Sequence, residues 1–124
     1  MIRLHAKQII MLHDELIKET GGLPGLRDRK LLESAVAAPF ASWGGQNAYS
    51  SVEAQAARLA FGLVQNHPFN DGNKRIGILA MLSFLELNHI ELSCADAELV
   101  ALGLSMANGS MTDKEVLLWI IDHS

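Results

Sequence analysis

A chain of 124 residues, 49% hydrophobic and 19% charged, suits one domain around one apolar core and excludes wholesale disorder. A formal net charge of −4 weighs against nucleic acid as the main substrate, because binding a phosphate backbone relies on clustered Lys and Arg. The single cysteine, Cys94, excludes an internal disulfide and a thiolate metal cluster; it reads as a small apolar residue, buried or half-buried, in a reducing interior.

Acidic, basic and histidine residues are mixed through the N-terminal segment, which has no apolar stretch of the kind a secretory leader carries. The longest apolar run, Ile76 to Leu85, is interrupted by Gly77 and Ser83 and falls well short of the roughly 20 residues that span a bilayer. The expected location is the cytoplasm, with no membrane contact.

The pattern along the chain is helical. Ala6 to Thr20 places Ile9, Ile10, Leu12, His13, Leu16 and Ile17 on one broad face, and Gly21-Gly22 ends that helix. Leu23-Pro24-Gly25 reads as a turn. Asp28 is placed to cap a second helix to about Ala38, stopped by Pro39. Ala41 to Tyr49 reads as a loop or short hairpin. Ser50-Ser51-Val52-Glu53 has the spacing of a capping box and opens a third helix toward Asn66.

His67 to Gly72 then forms a loop, and a fourth helix runs from Asn73 or Lys74 to about Asn88. Ile90-Glu91-Leu92 is a short strand or an extended link. Ser93 is placed to cap a fifth helix to about Ala107, closed by Asn108-Gly109. Thr112-Asp113-Lys114-Glu115 is a second capping box and opens a last helix through Ile121. The expectation is an all-α, compact single-domain bundle of about six helices over residues 1–124. Gly62 and Gly77, inside the third and fourth helices, are expected to mark close contact between those two helices.

The chemistry concentrates in His67-Pro68-Phe69-Asn70-Asp71-Gly72-Asn73-Lys74-Arg75. A histidine, a carboxylate, an amide and two cations lie at the start of a helix, where unpaired N–H groups and a partial positive charge favour anions. Gly72 allows close backbone approach to a ligand, and Lys74 and Arg75 add full charges. A carboxylate beside a phosphate site is repulsive unless a cation intervenes, which suggests Mg²⁺ at Asp71. The His67 imidazole is the nearby group suited to accept a proton from an attacking hydroxyl. The competing reading is a capped helix junction with a solvated charge cluster, for which Asp71 alone would suffice.

This stretch resembles the Fic/Doc family. It matches the His-x-Phe-x-Asp-x-Asn-Lys-Arg pattern of the death-on-curing (Doc) branch, the toxins of type II toxin–antitoxin systems. Leu12-His13-Asp14, then Gly21 to Gly25 and Asp28, resemble the opening of the same branch. The resemblance implies the minimal Fic fold, with His67 as the base, Asp71 as the Mg²⁺ ligand, and Gly72, Asn73, Lys74 and Arg75 at the phosphate-contacting positions for ATP.

Lys74 stands where AMP-transferring Fic enzymes have glycine, and Ile78 where they have a second arginine. Both differences disfavour the AMP-transfer pose. The implied reaction is transfer of the γ-phosphate to a protein hydroxyl, a threonine of elongation factor Tu, with inhibition of translation. The alternatives are AMP or other nucleotidyl transfer, and a non-catalytic binding or co-repressor module. No Ser or Thr is followed by Glu four residues on, so the inhibitory Ser/Thr-x-x-x-Glu signature of Fic enzymes is absent. The implied regulator is an antitoxin whose disordered C-terminal segment folds onto the toxin.

Trp43 to Tyr49 is a candidate flap for aligning the target backbone, or an ordinary loop with two aromatic anchors. His13-Asp14 is a weak fit to a metal phosphohydrolase, because the other ligands have no match. His5, His89 and His123 read as surface or capping residues, and Trp119 as core or interface.

Overall fold

The computed structural model describes residues 1–124 and contains six helices: α1 (Ala6–Thr20), α2 (Arg29–Ala37), α3 (Val52–Asn66), α4 (Asn73–Leu87), α5 (Asp96–Ala107) and α6 (Asp113–His123). A 3-10 turn, Ala38–Phe40, follows α2 and contains Pro39. The only sheet is a two-stranded antiparallel hairpin, β1 (Ser42–Trp43) and β2 (Gln46–Asn47), pairing Ser42 with Asn47 and Trp43 with Gln46. The all-α expectation is met, and Ile90 to Leu92 forms no strand. No helix is long and apolar enough to cross a membrane.

Local chemistry fixes most helix ends. Asp28 caps α2, its Oδ1 accepting from Leu31 N at 3.0 Å. Gly21 ends α1 at φ 80°, its N–H donating to Ile17 O. Thr112 and Glu115 form the expected reciprocal box at α6: Glu115 Oε1 accepts from Thr112 N at 3.0 Å, and Thr112 Oγ1 accepts from Glu115 N at 3.3 Å.

Two expected caps move. Ser51, not Ser50, caps α3 through Ala54 N, so the box with Glu53 is not made. Ser93 does not cap α5. That helix starts at Asp96 behind Ala95, whose N–H is held by the Glu98 carboxylate at 3.0 Å, while Ser93 N donates to His123 O. Cys94 is half-buried; desolvation, then Glu98 and Asp96, raise its thiol pKa and keep it from ionising.

α3 is the central helix and packs against α2, α4, α5 and α6. Ala56, Ala57 and Ala60 keep its surface low, while Leu59, Leu63 and Val64 fill the core with Ile76, Met81, Phe84 and Leu85 of α4. Each such large side chain contributes about 1.5–3 kcal/mol on burial. Gly77 marks the α3–α4 contact as expected: a Cβ there would lie 2.7 Å from Val64 Cγ2 and 3.2 Å from Ala60 O. Gly62 instead faces α2, where a Cβ would meet Ala35 Cβ at 3.2 Å. Gly77→Ala should therefore destabilise the chain by about 1–3 kcal/mol through overpacking, despite alanine's better helix propensity. Urea unfolding checks this; an unchanged midpoint would mean the helices do not touch there.

Candidate active site

The loop between α3 and α4 is built by parts of the chain far from it in sequence. α3 ends at His67 in the left-handed conformation, φ 52° and ψ 52°. The exposed carbonyls there need partners, and Arg27 supplies them: its Nε donates to His67 O at 2.7 Å and its Nη2 to Asn66 O at 3.0 Å. Backbone bonds then lace the loop to residues 25–28. Arg27 N and Asp28 N donate to Pro68 O, and Asn70 N donates to Gly25 O.

Phe69 is the loop's anchor, 1% exposed in the core. Its ring stacks on His13 of α1, with centroids 3.8 Å apart and planes 9° from parallel. Its backbone is gripped by the Asn73 amide: Oδ1 accepts from Phe69 N and Nδ2 donates to Phe69 O, each at 3.0 Å. Asn73 is itself buried. The side chain expected at a phosphate is thus turned inward as a brace, and the Asn73 backbone N–H is left without a backbone partner at the helix start.

Asp71 is half-exposed, with 44% of its side chain accessible. Its Oδ2 accepts from Leu23 N at 3.1 Å and its Oδ1 from Gly72 N at 2.8 Å. These two backbone N–H groups, Leu23 first, lower the Asp71 pKa, with Arg75 and His13 adding to the effect. The carboxylate therefore stays ionised, as a cation ligand must. Arg75 Nη2 lies 3.9 Å from Asp71 Oδ1, and Nη1 donates to Gly21 O at 3.0 Å and to the Thr20 hydroxyl.

Gly72 takes φ 75°. A Cβ there would crowd Arg75 Nη2 at 3.2 Å and Ile17 Cδ1 at 3.3 Å. Gly22, at φ 116°, is still more constrained, because a Cβ would fall 2.6 Å from Asp71 Oδ2. The backbone N–H groups of Asn73, Lys74 and Arg75 make no backbone bond within the chain, leaving donors at the positive end of α4.

Asp71, Gly72 and Arg75 are thus brought together against the C-terminal end of α1. The His67 ring is exposed on the same loop, and His67 is fastened through its carbonyl. Lys74 is exposed and, with Arg75, borders a groove of about 360 Å³ whose walls include Leu16, Ile78, Leu99 and Leu104. No cluster of three or more His, Cys, Asp or Glu side chains could hold a metal. A lone ionised carboxylate beside anion donors fits Mg²⁺, which takes one or two carboxylates and completes its shell with phosphate and water.

Arg27 and the Gly22-Leu23 pair lay outside the residues the sequence marked for chemistry, and His13 was weighed only as a weak fit to a metal phosphohydrolase. The Leu12-His13-Asp14 and Gly21-Gly22-Leu23 strings were visible, but their partners lie 48 to 58 positions away.

A Fic/DOC family model matches residues 3–85, from the segment before α1 into α4. The chain is similar to Toxin Doc of Mycolicibacterium smegmatis, with 41% identity over 73 residues, covering 59% of this chain and 56% of that protein. It is also similar to Protein kinase doc of Escherichia phage P1, with 29% identity over 116 residues, covering 94% of this chain and 90% of the phage protein. The matched span contains the loop, the start of α4 and the α1 residues that hold them, and the chain belongs to the Fic/DOC family.

Proposed function

We propose that this chain is the toxin of a toxin–antitoxin pair, a kinase-type enzyme that transfers the γ-phosphate of Mg-ATP to a protein hydroxyl. The proposed target is a threonine of elongation factor Tu in the cytoplasm, and the outcome is arrest of translation. The observation carrying this reading is the pairing of Asp71 and Arg75 at the free N–H groups of α4, with an unencumbered imidazole on the same loop. The names of the two relatives, Toxin Doc and Protein kinase doc, point the same way.

In this mechanism His67 takes the proton from the attacking hydroxyl. The hydroxyl oxygen bonds to the γ-phosphorus as the bond to the bridging oxygen breaks, and ADP leaves with that electron pair. Bound Mg²⁺ would neutralise charge on the polyphosphate, held by Asp71. The N–H groups of Asn73, Lys74 and Arg75 and the two cationic side chains orient the phosphates. Arg75 is pre-placed by Gly21 O and Thr20, so little side-chain freedom is lost on binding.

Lys74 and Ile78 favour γ-phosphate transfer over AMP transfer. A long cation occupies the position where AMP-transferring relatives keep glycine, and Ile78 adds an apolar wall where they have arginine. Incubation with target extract and ATP labelled at either the α- or the γ-phosphate should put only γ label into protein. Label arriving solely from the α position would establish AMP transfer instead.

The groove beside Lys74 suits the antitoxin's segment. Val100 and Leu104 on its α5 side are 65% and 50% exposed, and an amphipathic helix would cover them.

A further inference from the structure

We infer that His13 is a positioning residue for the Asp71 carboxylate, acting through the Asp71–Gly72 peptide. The inference rests on the phosphotransfer reading above for its functional consequence, but not for its geometry. His13 lies in the middle of α1 and is fully buried. Its Nε2 is 2.8 Å from Asp71 O. A carbonyl oxygen can only accept, so Nε2 carries the proton.

Nδ1 is then left buried with no partner in the chain. A leucine or phenylalanine would fill this core position without stranding a polar atom. What only the imidazole adds is one N–H, delivered to one carbonyl.

That carbonyl belongs to a planar unit. The peptide joining Asp71 to Gly72 carries Asp71 O on one side and Gly72 N–H on the other. Fixing the oxygen fixes the direction of the N–H, which donates to Asp71 Oδ1 at 2.8 Å. The same plane sets the left-handed turn of Gly72, from which α4 starts. Leu23 N holds the other carboxylate oxygen at 3.1 Å. The ring also stacks on Phe69, so a rigid aromatic pair supports the hydrogen bond. Without the Nε2–H, no other group of the chain holds the Asp71 carbonyl, and the Gly72 N–H that serves the carboxylate loses its fixed direction.

The test compares His13→Phe, which keeps the stack and removes the donor, with His13→Gln, whose amide can restore an N–H at similar reach. Circular dichroism confirms folding, and His13→Met replaces His13→Phe if the latter does not fold. The first readout is hydrogen exchange at the Gly72 and Leu23 amides. It should quicken by about tenfold or more in His13→Phe and stay near wild type in His13→Gln. The second is equilibrium binding of Mg-ATP, which should weaken about tenfold in His13→Phe and within about threefold in His13→Gln.

Unchanged exchange in the donor-less variant, or equal acceleration in both variants, overturns the inference, because the ring would then serve only as packing. If the wild-type protein fails to bind Mg-ATP while the exchange contrast holds, the phosphotransfer reading falls and the positioning role stands.

Discussion

His67→Ala is expected to slow phosphoryl transfer by about 10²-fold or more while leaving Mg-ATP affinity nearly unchanged. The ring is exposed, and the contact that fixes this residue runs from Arg27 to its carbonyl. Alanine keeps that carbonyl and meets the same left-handed φ, so stability should move by no more than about 1 kcal/mol. Single-turnover transfer of γ label, measured beside equilibrium nucleotide binding, separates the two effects. Growth arrest on expression without a partner should vanish in parallel. A variant that stops growth as well as the wild type would point to a binding role, and one keeping more than about a tenth of the rate would remove His67 as the base.

Asn73→Ala should be the most damaging substitution for folding among the polar residues of the motif. It strips both partners from the Phe69 backbone in a buried site, and each orphaned group costs about 1–3 kcal/mol. A loss near 3 kcal/mol is a large share of the 5–15 kcal/mol by which domains of this kind are stable. Urea unfolding should show the fall. Lys74→Ala, at an exposed position, should shift stability by less than about 0.5 kcal/mol and act on nucleotide affinity instead. Equal midpoints for Asn73→Ala and wild type would mean that the loop does not depend on its brace.

Much of this was legible wherever the signal was local. Periodic apolar faces, Gly21, Asp28 and the Thr112–Glu115 box placed helix ends within a residue or two. Ser93 misled because it looks like a cap, whereas α5 starts behind an alanine and is capped by Glu98 reaching back. The partner of Gly62 could not be read, since a small residue shows that something comes close but not what.

In the motif, the residue types predicted a polar site at a helix start, but not that one member faces inward. Asn73 lies among charged residues in sequence, and its burial follows from Phe69 being driven into the core. His13 carried no readable signal of its role, because a lone histidine on an apolar helix face makes no local bond. Its carbonyl partner is 58 positions away.

The mounting of His67 has a bearing on target choice. Its main chain is clamped by a guanidinium, while the imidazole above is exposed and makes no hydrogen bond within the chain. On the proposed reading of His67 as the base, the fold alone does not aim this ring at the target hydroxyl. Target alignment then falls to other surfaces, and the hairpin that offers Trp43 to solvent is a candidate for it on that reading.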